Sequence, residues 1–214
     1  MTFEQERWNL GDRVVVGIDE VGKGAWAGPL SVGAVVIPMD KRIYKVRDSK
    51  QLTATEREAM ASRIKDWALH WSVGHATAQE CDALGMSDAQ RLATNRALDA
   101  LDVAPDHALV DGKWDFVEKI GVTTIVKGDT LSLSIAAASI LAKVTRDAMM
   151  RQAAQTYPWY AFESNKGYPC HRQRAALQLL GPSTIHRRSW VYMENLVWDG
   201  IAACRTEPRP MSLW

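Results

Sequence analysis

The chain has 214 residues, of which 47% are hydrophobic and 24% charged, with a formal net charge of +1. That balance suits one α/β-sized domain with a full core and excludes a disordered, collagen-like or fibrous chain. A near-neutral charge also excludes a uniformly basic polyanion binder, so any such surface must be a local patch offset by acids elsewhere.

Three well-separated cysteines, Cys81, Cys170 and Cys204, offer no CxxC spacing. They argue against a structural zinc site or a disulfide framework and for a reducing compartment. The opening MTFEQERWNLGDR carries acids early and has no apolar run, so no signal peptide is expected. The apolar stretches are too short to cross a bilayer, and a soluble, cytoplasmic, monomeric protein is expected.

Taken in chain order, residues 1–12 read as a loose lead-in. Val14–Ile18 is a β-branched run and predicts a buried strand that ends on Asp19-Glu20. A glycine-rich turn, Gly22-Lys23-Gly24-Ala25-Trp26-Ala27-Gly28-Pro29, leads to a second strand over Leu30–Ile37. Thr53 with Glu56 forms a capping-box pattern ahead of a helix whose Met60, Ile64, Trp67 and Trp71 recur at helical spacing. Trp71–Ala76 predicts a third strand. Ser87 with Gln90 starts another helix, with Ala89, Leu92, Ala93, Ala97 and Leu101 inward, closed by Pro105. Ala108–Val110 is a short strand ending on Asp111-Gly112. Val122–Val126 is another, ending on Lys127-Gly128-Asp129. A long helix follows over Leu133–Ala154, then a helix over Arg172–Leu180, a break at Gly181-Pro182, and a last helix over Ser189–Ile201. Strands first in a meander and then alternating with helices predict a mixed sheet covered by helices, an α/β fold. One domain over 1–214 is expected, with a core over about 13–190, a helical C-terminal segment over about 158–202 and a flexible tail over 203–214.

Three strands end on or just before acids: Asp19-Glu20, Asp111 and Asp129. Ligands of open α/β sheets gather at such ends. Carboxylates crowded there repel one another and lose hydration, a cost that divalent cations relieve, and oxygen ligands suit Mg²⁺ and Mn²⁺. Two such ions can activate a water and stabilise a leaving oxygen in phosphodiester hydrolysis. Each acid alone also fits a turn or helix cap. In the turn that follows, Gly22 and Gly24 let backbone groups approach a ligand closely, and Lys23 can meet a phosphate. That pair of backbone donors and acceptors suits a sugar 2′-hydroxyl; an ordinary hairpin turn is the plain alternative.

Several blocks in fixed order resemble ribonuclease HII, the type 2 ribonuclease H family. They are Gly17–Gly24 with Gly28-Pro29, Arg47-Asp48-Ser49-Lys50-Gln51-Leu52, Val110-Asp111-Gly112, Val126–Asp129 with Ser132–Asp147, Lys166-Gly167-Tyr168, and His186–Trp190. They run over roughly residues 14–190. The resemblance implies a ribonuclease H-like fold: a central five-stranded mixed sheet flanked by helices, with a small helical C-terminal segment. It implies that Asp19, Glu20, Asp111 and Asp129 hold two Mg²⁺ or Mn²⁺ ions and carry catalysis. It implies that RNA–DNA hybrids, and DNA duplexes containing ribonucleotides, are the partners, cut to leave 5′-phosphate and 3′-hydroxyl ends in removing primers and stray ribonucleotides.

In the family's pattern the turn Gly22-Lys23-Gly24 reads the 2′-hydroxyl and Tyr168 senses the substrate; lysine replaces the usual arginine at 23, and Lys113 stands where asparagine is frequent. Ser49, Lys50, Lys143, Thr145, Arg146 and Arg187 are expected at the nucleic-acid backbone. For Lys143 the alternative is a helix pair with Asp147, and for Arg187 a structural joint to the C-terminal segment. Trp26 is expected near the groove, and no protein partner is expected. The rivals are a type 1 ribonuclease H or junction resolvase on the same fold, and a non-catalytic hybrid-binding module. The intact set of four acids argues against a binder, which gains nothing from acids facing phosphates.

Overall fold

The structure is a computed structural model, and it describes residues 2–44, 46, 52–118 and 120–196. In chain order the elements are α1 (Thr2–Asn9), β1 (Val15–Val21), β2 (Leu30–Val36), α2 (Ala54–Trp67), β3 (His70–Ala76), α3 (Ala78–Asp99), β4 (His107–Asp111), β5 (Gly121–Ile125), α4 (Gly128–Leu131), α5 (Leu133–Thr156), α6 (Phe162–Asn165), α7 (His171–Leu180) and α8 (Val191–Glu194). The five strands form one mixed sheet in the order β3-β2-β1-β4-β5. β1, β2 and β3 are an antiparallel meander, while β4 and β5 run parallel to β1. This is the predicted ribonuclease H-like arrangement.

Period-two alternation along the strands builds two cores. Val16, Ile18, Ala34, Ala108 and Val110 face one way and pack on Ala89, Ala93 and Ala97 of α3. Val35 and Ile37 face the other way, against α2 and α5. On that same side Val15, Leu109 and Ile125 surround Ile135 of α5. A smaller third cluster joins Trp26, Ala27 and Met150 to Tyr160, Phe162 and Leu177 of the C-terminal segment. Full burial of a residue such as Ile18 contributes about 2–3 kcal/mol. Among the described residues, no helix is long and apolar enough to cross a membrane.

The capping box at Thr53 is present as read, with Thr53 accepting from the Glu56 N–H and Glu56 bonding back. Two expectations are corrected. The helix expected from Ser87 begins at Thr77, through a second capping box with Glu80, and Gly85 (φ 77°) kinks it internally. That kink resets the apolar phase, so the periodicity exposes only the second half. The loose lead-in is in fact α1. It docks Phe3 and Trp8 on the core and buries Glu4 completely, so a polar anchor does what an apolar stripe usually does. The last helix is shorter than expected within the described residues, and the tail lies outside them.

α5 crosses β1 and β2 where both strands have glycine. A Cβ at Gly17 would overlap the Ser134 backbone, and one at Gly33 the Ala138 carbonyl. Gly17→Ala should therefore force β1 and α5 apart and cost about 1–3 kcal/mol. A urea unfolding midpoint indistinguishable from wild type would show that the helix is not seated this closely.

Candidate active site

The register places the acids. β1 and β4 pair in parallel through Ile18↔Val110, so Asp19 and Asp111 follow at the same end of the sheet. Asp19, on the α5 side, is almost fully buried. Burial, and then the charges of Glu20 and Asp111, push its carboxyl well above the usual range, against bonds from Ser139 and the Glu20 backbone that lower it. The Glu20 N–H donates to Asp19 Oδ1 at 2.8 Å. Asp111 accepts the Gly128 N–H on Oδ1 at 2.6 Å, which ties it to the start of α4. Asp129 is buried on that one-turn helix.

The turn after β1 is wired to the C-terminal segment. Gly22 has φ 91°, a conformation that favours glycine, and its N–H donates to the Tyr168 hydroxyl at 3.0 Å. Lys23 donates to Gln90 Oε1 at 2.9 Å, stands 3.9 Å from Glu20, and lies 5.6 Å from the centroid of the Trp114 ring. Gln90 is only 1% exposed, so its carbonyl is a fixed anchor for the ammonium.

Asp19, Glu20, Gly22, Lys23, Gly24, Asp111, Ser139, Lys143 and Tyr168, with Val21, line one cleft of about 450 Å³. Most of the expected site residues are thus brought together. Asp129 and Thr145 do not line it; Thr145 is two positions past Lys143, on the opposite side of α5. Lys143 lines the cleft and donates to Asp147 at 2.8 Å, the helix pair that was the alternative for it. Ser49 and Lys50 lie outside the described residues. Ser139 was missed, although its position four residues before Lys143 puts it on the same helix face; Gln90 gave no signal beyond its place in a predicted helix.

Three expectations are corrected. Arg146 is fully buried and donates to the backbone carbonyls of Pro29 (2.8 Å), Lys166 (2.8 Å) and Ala27 (3.1 Å). Burial lowers its pKa to about 10. Arg187 is equally buried and donates to Gly28 and Lys23 carbonyls at 3.0–3.1 Å. Neither guanidinium faces a phosphate; both brace the glycine-rich turn from behind. Trp26 stacks on Tyr192 with centroids 4.0 Å apart, so it packs the C-terminal segment. Among the described residues, no three of the acids, histidines or cysteines converge into a ready-made metal shell. Asp19, Glu20 and Asp111 share the cleft, and Asp129 does not line it.

Comparison with solved structures defines the class. The chain superposes on the ribonuclease H2 of Pyrococcus horikoshii OT3 with a TM-score of 0.74 and 29% identity, covering 86% of this chain and 97% of that one. It superposes on an Archaeoglobus fulgidus structure, described as a PCNA:RNase HII complex, with a TM-score of 0.69 and 25% identity over 83% and 95% of the two chains. A ribonuclease H-like fold is thereby shown. Residues 16–193 match the family model for ribonuclease HII. The ribonuclease HII of Nitrosococcus oceani is 49% identical over 181 residues, 85% of this chain and 90% of its own length. This chain belongs to the ribonuclease HII family and is an enzyme of the ribonuclease H class.

The state of Asp19 has a measurable consequence without any ligand. A carboxyl whose folded pKa lies above its unfolded value of about 3.9 binds its proton more tightly when folded. Stability then falls as pH rises from that value through the folded pKa, and the penalty persists above it. Asp19→Asn removes the charge and should be more stable than wild type at neutral pH in a chelator, with the gap closing towards pH of about 4. Parallel urea curves at all pH values would refute the crowding.

Proposed function

We propose that this protein hydrolyses the RNA strand of RNA–DNA hybrids and cuts 5′ of a single ribonucleotide within duplex DNA, leaving 5′-phosphate and 3′-hydroxyl ends. The observation that carries the reading is the shared cleft. Asp19, Glu20 and Asp111 line it together with a backbone turn and the tyrosine hydrogen-bonded to that turn.

Asp19, Glu20, Asp111 and Asp129 would hold Mg²⁺ or Mn²⁺, two ions in all. The donor chemistry fits: these are hard oxygens, and the burial and then the neighbouring charges that raise Asp19 are costs that a cation relieves. Bound there, divalent cations neutralise the phosphate and lower the pKa of an attacking water. The protein does the positioning. Gly22, Lys23 and Gly24 present backbone donors and acceptors that a 2′-hydroxyl satisfies and a deoxyribose does not. Tyr168 accepts from the Gly22 N–H, which leaves its own proton to donate towards the sugar. Lys143 adds a cation to the cleft. Lys23 in place of arginine loses a planar fork, yet Gln90 fixes its direction, so specificity rests on the backbone.

Such an enzyme would work in the cytoplasm, as a monomer, on primers and misincorporated ribonucleotides. The Archaeoglobus relative, solved with PCNA, supports the compatibility of this fold with a protein partner, against the expectation of none.

The test is cleavage of a duplex with one ribonucleotide, an RNA–DNA hybrid and an all-DNA duplex, each with Mg²⁺, Mn²⁺ or chelator. Cutting of the first two, 5′ of the lone ribonucleotide and abolished by chelator, is expected. Asp19→Asn and Asp129→Asn should each lose about a hundredfold or more in rate with duplex binding retained, and Tyr168→Ala should slow single-ribonucleotide cutting more than it weakens binding. Cutting of the hybrid alone would favour type 1 specificity; full activity of either acid variant would remove the metal assignment.

A further inference from the structure

Helix α4, four residues long, carries Asp129 and, through the Gly128 N–H, holds Asp111. A single helical turn has no stability of its own. Its start adds strain: Lys127, at the N-cap, is left-handed (φ 59°, ψ 40°) and provides no side-chain cap. That conformation is unfavourable for a residue that carries a Cβ. The turn must therefore be held from outside.

The hold is at its other end. Ser132 closes α4 by donating its N–H to the Gly128 carbonyl at 2.8 Å, and it opens α5 by accepting the Ile135 N–H on Oγ at 3.3 Å. Its hydroxyl donates to Glu4 Oε1 at 2.6 Å. Ser134 donates to the same oxygen twice, from its N–H at 2.9 Å and its hydroxyl at 2.8 Å. Glu4 has no exposed surface. Burial alone would raise its pKa, but these donors outweigh burial and keep it below the ordinary value, so the buried group is an anion. A carboxylate at the start of the 24-residue α5 also complements that helix's dipole. Glu4 lies on α1, ahead of residues 16–193 that match the family model.

We infer that Glu4 is a positioning residue for the metal-binding acids: it locks the joint between α4 and α5 and so fixes where Asp129 and Asp111 stand. The inference rests on the proposed role of those acids. Glu4 touches no substrate and acts through Ser132, as groups behind a metal ligand do. Replacement by an apolar side chain would fill the space but leave the two serines without their acceptor.

The experiment compares wild type, Glu4→Ala and Glu4→Gln by amide hydrogen exchange and by calorimetric titration of Mn²⁺ alone into the protein without nucleic acid. Glu4→Ala should raise exchange over residues 128–132 about tenfold, leaving β1 and β2 unchanged, and weaken Mn²⁺ binding about tenfold. Glu4→Gln, which keeps an acceptor oxygen, should fall between. KM for the duplex should not move, because the sugar-reading turn is untouched. If Glu4→Ala does not fold, Ser132→Ala carries the test, with the same direction and a smaller size. A lower melting temperature with wild-type exchange at α4 and wild-type Mn²⁺ affinity, in whichever variant folds, overturns the inference. A wild-type protein that binds no Mn²⁺ defeats the functional reading instead, and the α4 exchange then decides alone whether the brace exists.

Discussion

The close seating of α5 on β1 and β2 is the constraint from which the site follows. It is possible only because Gly17 and Gly33 offer bare backbone to Ser134 and Ala138. One helix then serves three purposes along its length. Its first turn joins the Glu4 carboxylate, its middle brings Ser139 and Lys143 to Asp19, and its later part delivers Arg146 to the back of the glycine-rich turn. A helix displaced by one side-chain layer would leave Asp19 open to water. The carboxyl would lose the burial that raises its pKa.

The two buried arginines show how the protein stiffens a glycine-rich loop whose apolar residues, Trp26 and Ala27, already pack into a core cluster. Residues 22–29 include Gly22, Gly24 and Gly28, which bring conformational freedom and no packing. Arg146 and Arg187 meet that loop with planar guanidiniums whose donors land on carbonyls at 27, 28, 29 and 23. Desolvating two cations is costly, and the direction of both pKa values records that cost. What is gained is geometry: the carbonyls are held outward-bound from behind, and the opposite side of the turn, with the Gly22 N–H on Tyr168, stays set for a ligand. A basic residue in a nucleic-acid enzyme is here an internal strut.

This explains which parts of the molecule were legible in the sequence. Strand-end acids were, because a β-branched run that stops on Asp19-Glu20 or Asp111 encodes both the strand and the acid's place at its end. Thr53 with Glu56 was, because a capping box is local. Arg146 was misread, and for Arg187 only the structural alternative held, because sequence gives the charge of a side chain and not the direction in which it points. α1 was missed for a related reason. Its anchor is a glutamate, and a buried glutamate leaves no apolar period; only the serines at 132 and 134, more than a hundred residues away, make its burial sensible. Gln90 is the same case, since its partner Lys23 is joined to it only by the fold.

These pieces share a physical logic. The site concentrates unfavourable features: a buried carboxyl beside two other acids, a left-handed lysine before α4, and a turn rich in glycine. Each is tolerated because a rigid neighbour supplies what it lacks, through Ser139 at Asp19, Glu4 and Ser132 at α4, and the arginines at the turn. Flexible supports would let the carboxylates relax away from one another, which would lower the local energy and, on the function proposed above, weaken the field offered to a cation and a phosphate. The supports therefore matter most for the function when they look most structural, and the residues that touch nothing reactive are the ones that keep the reactive acids from drifting apart.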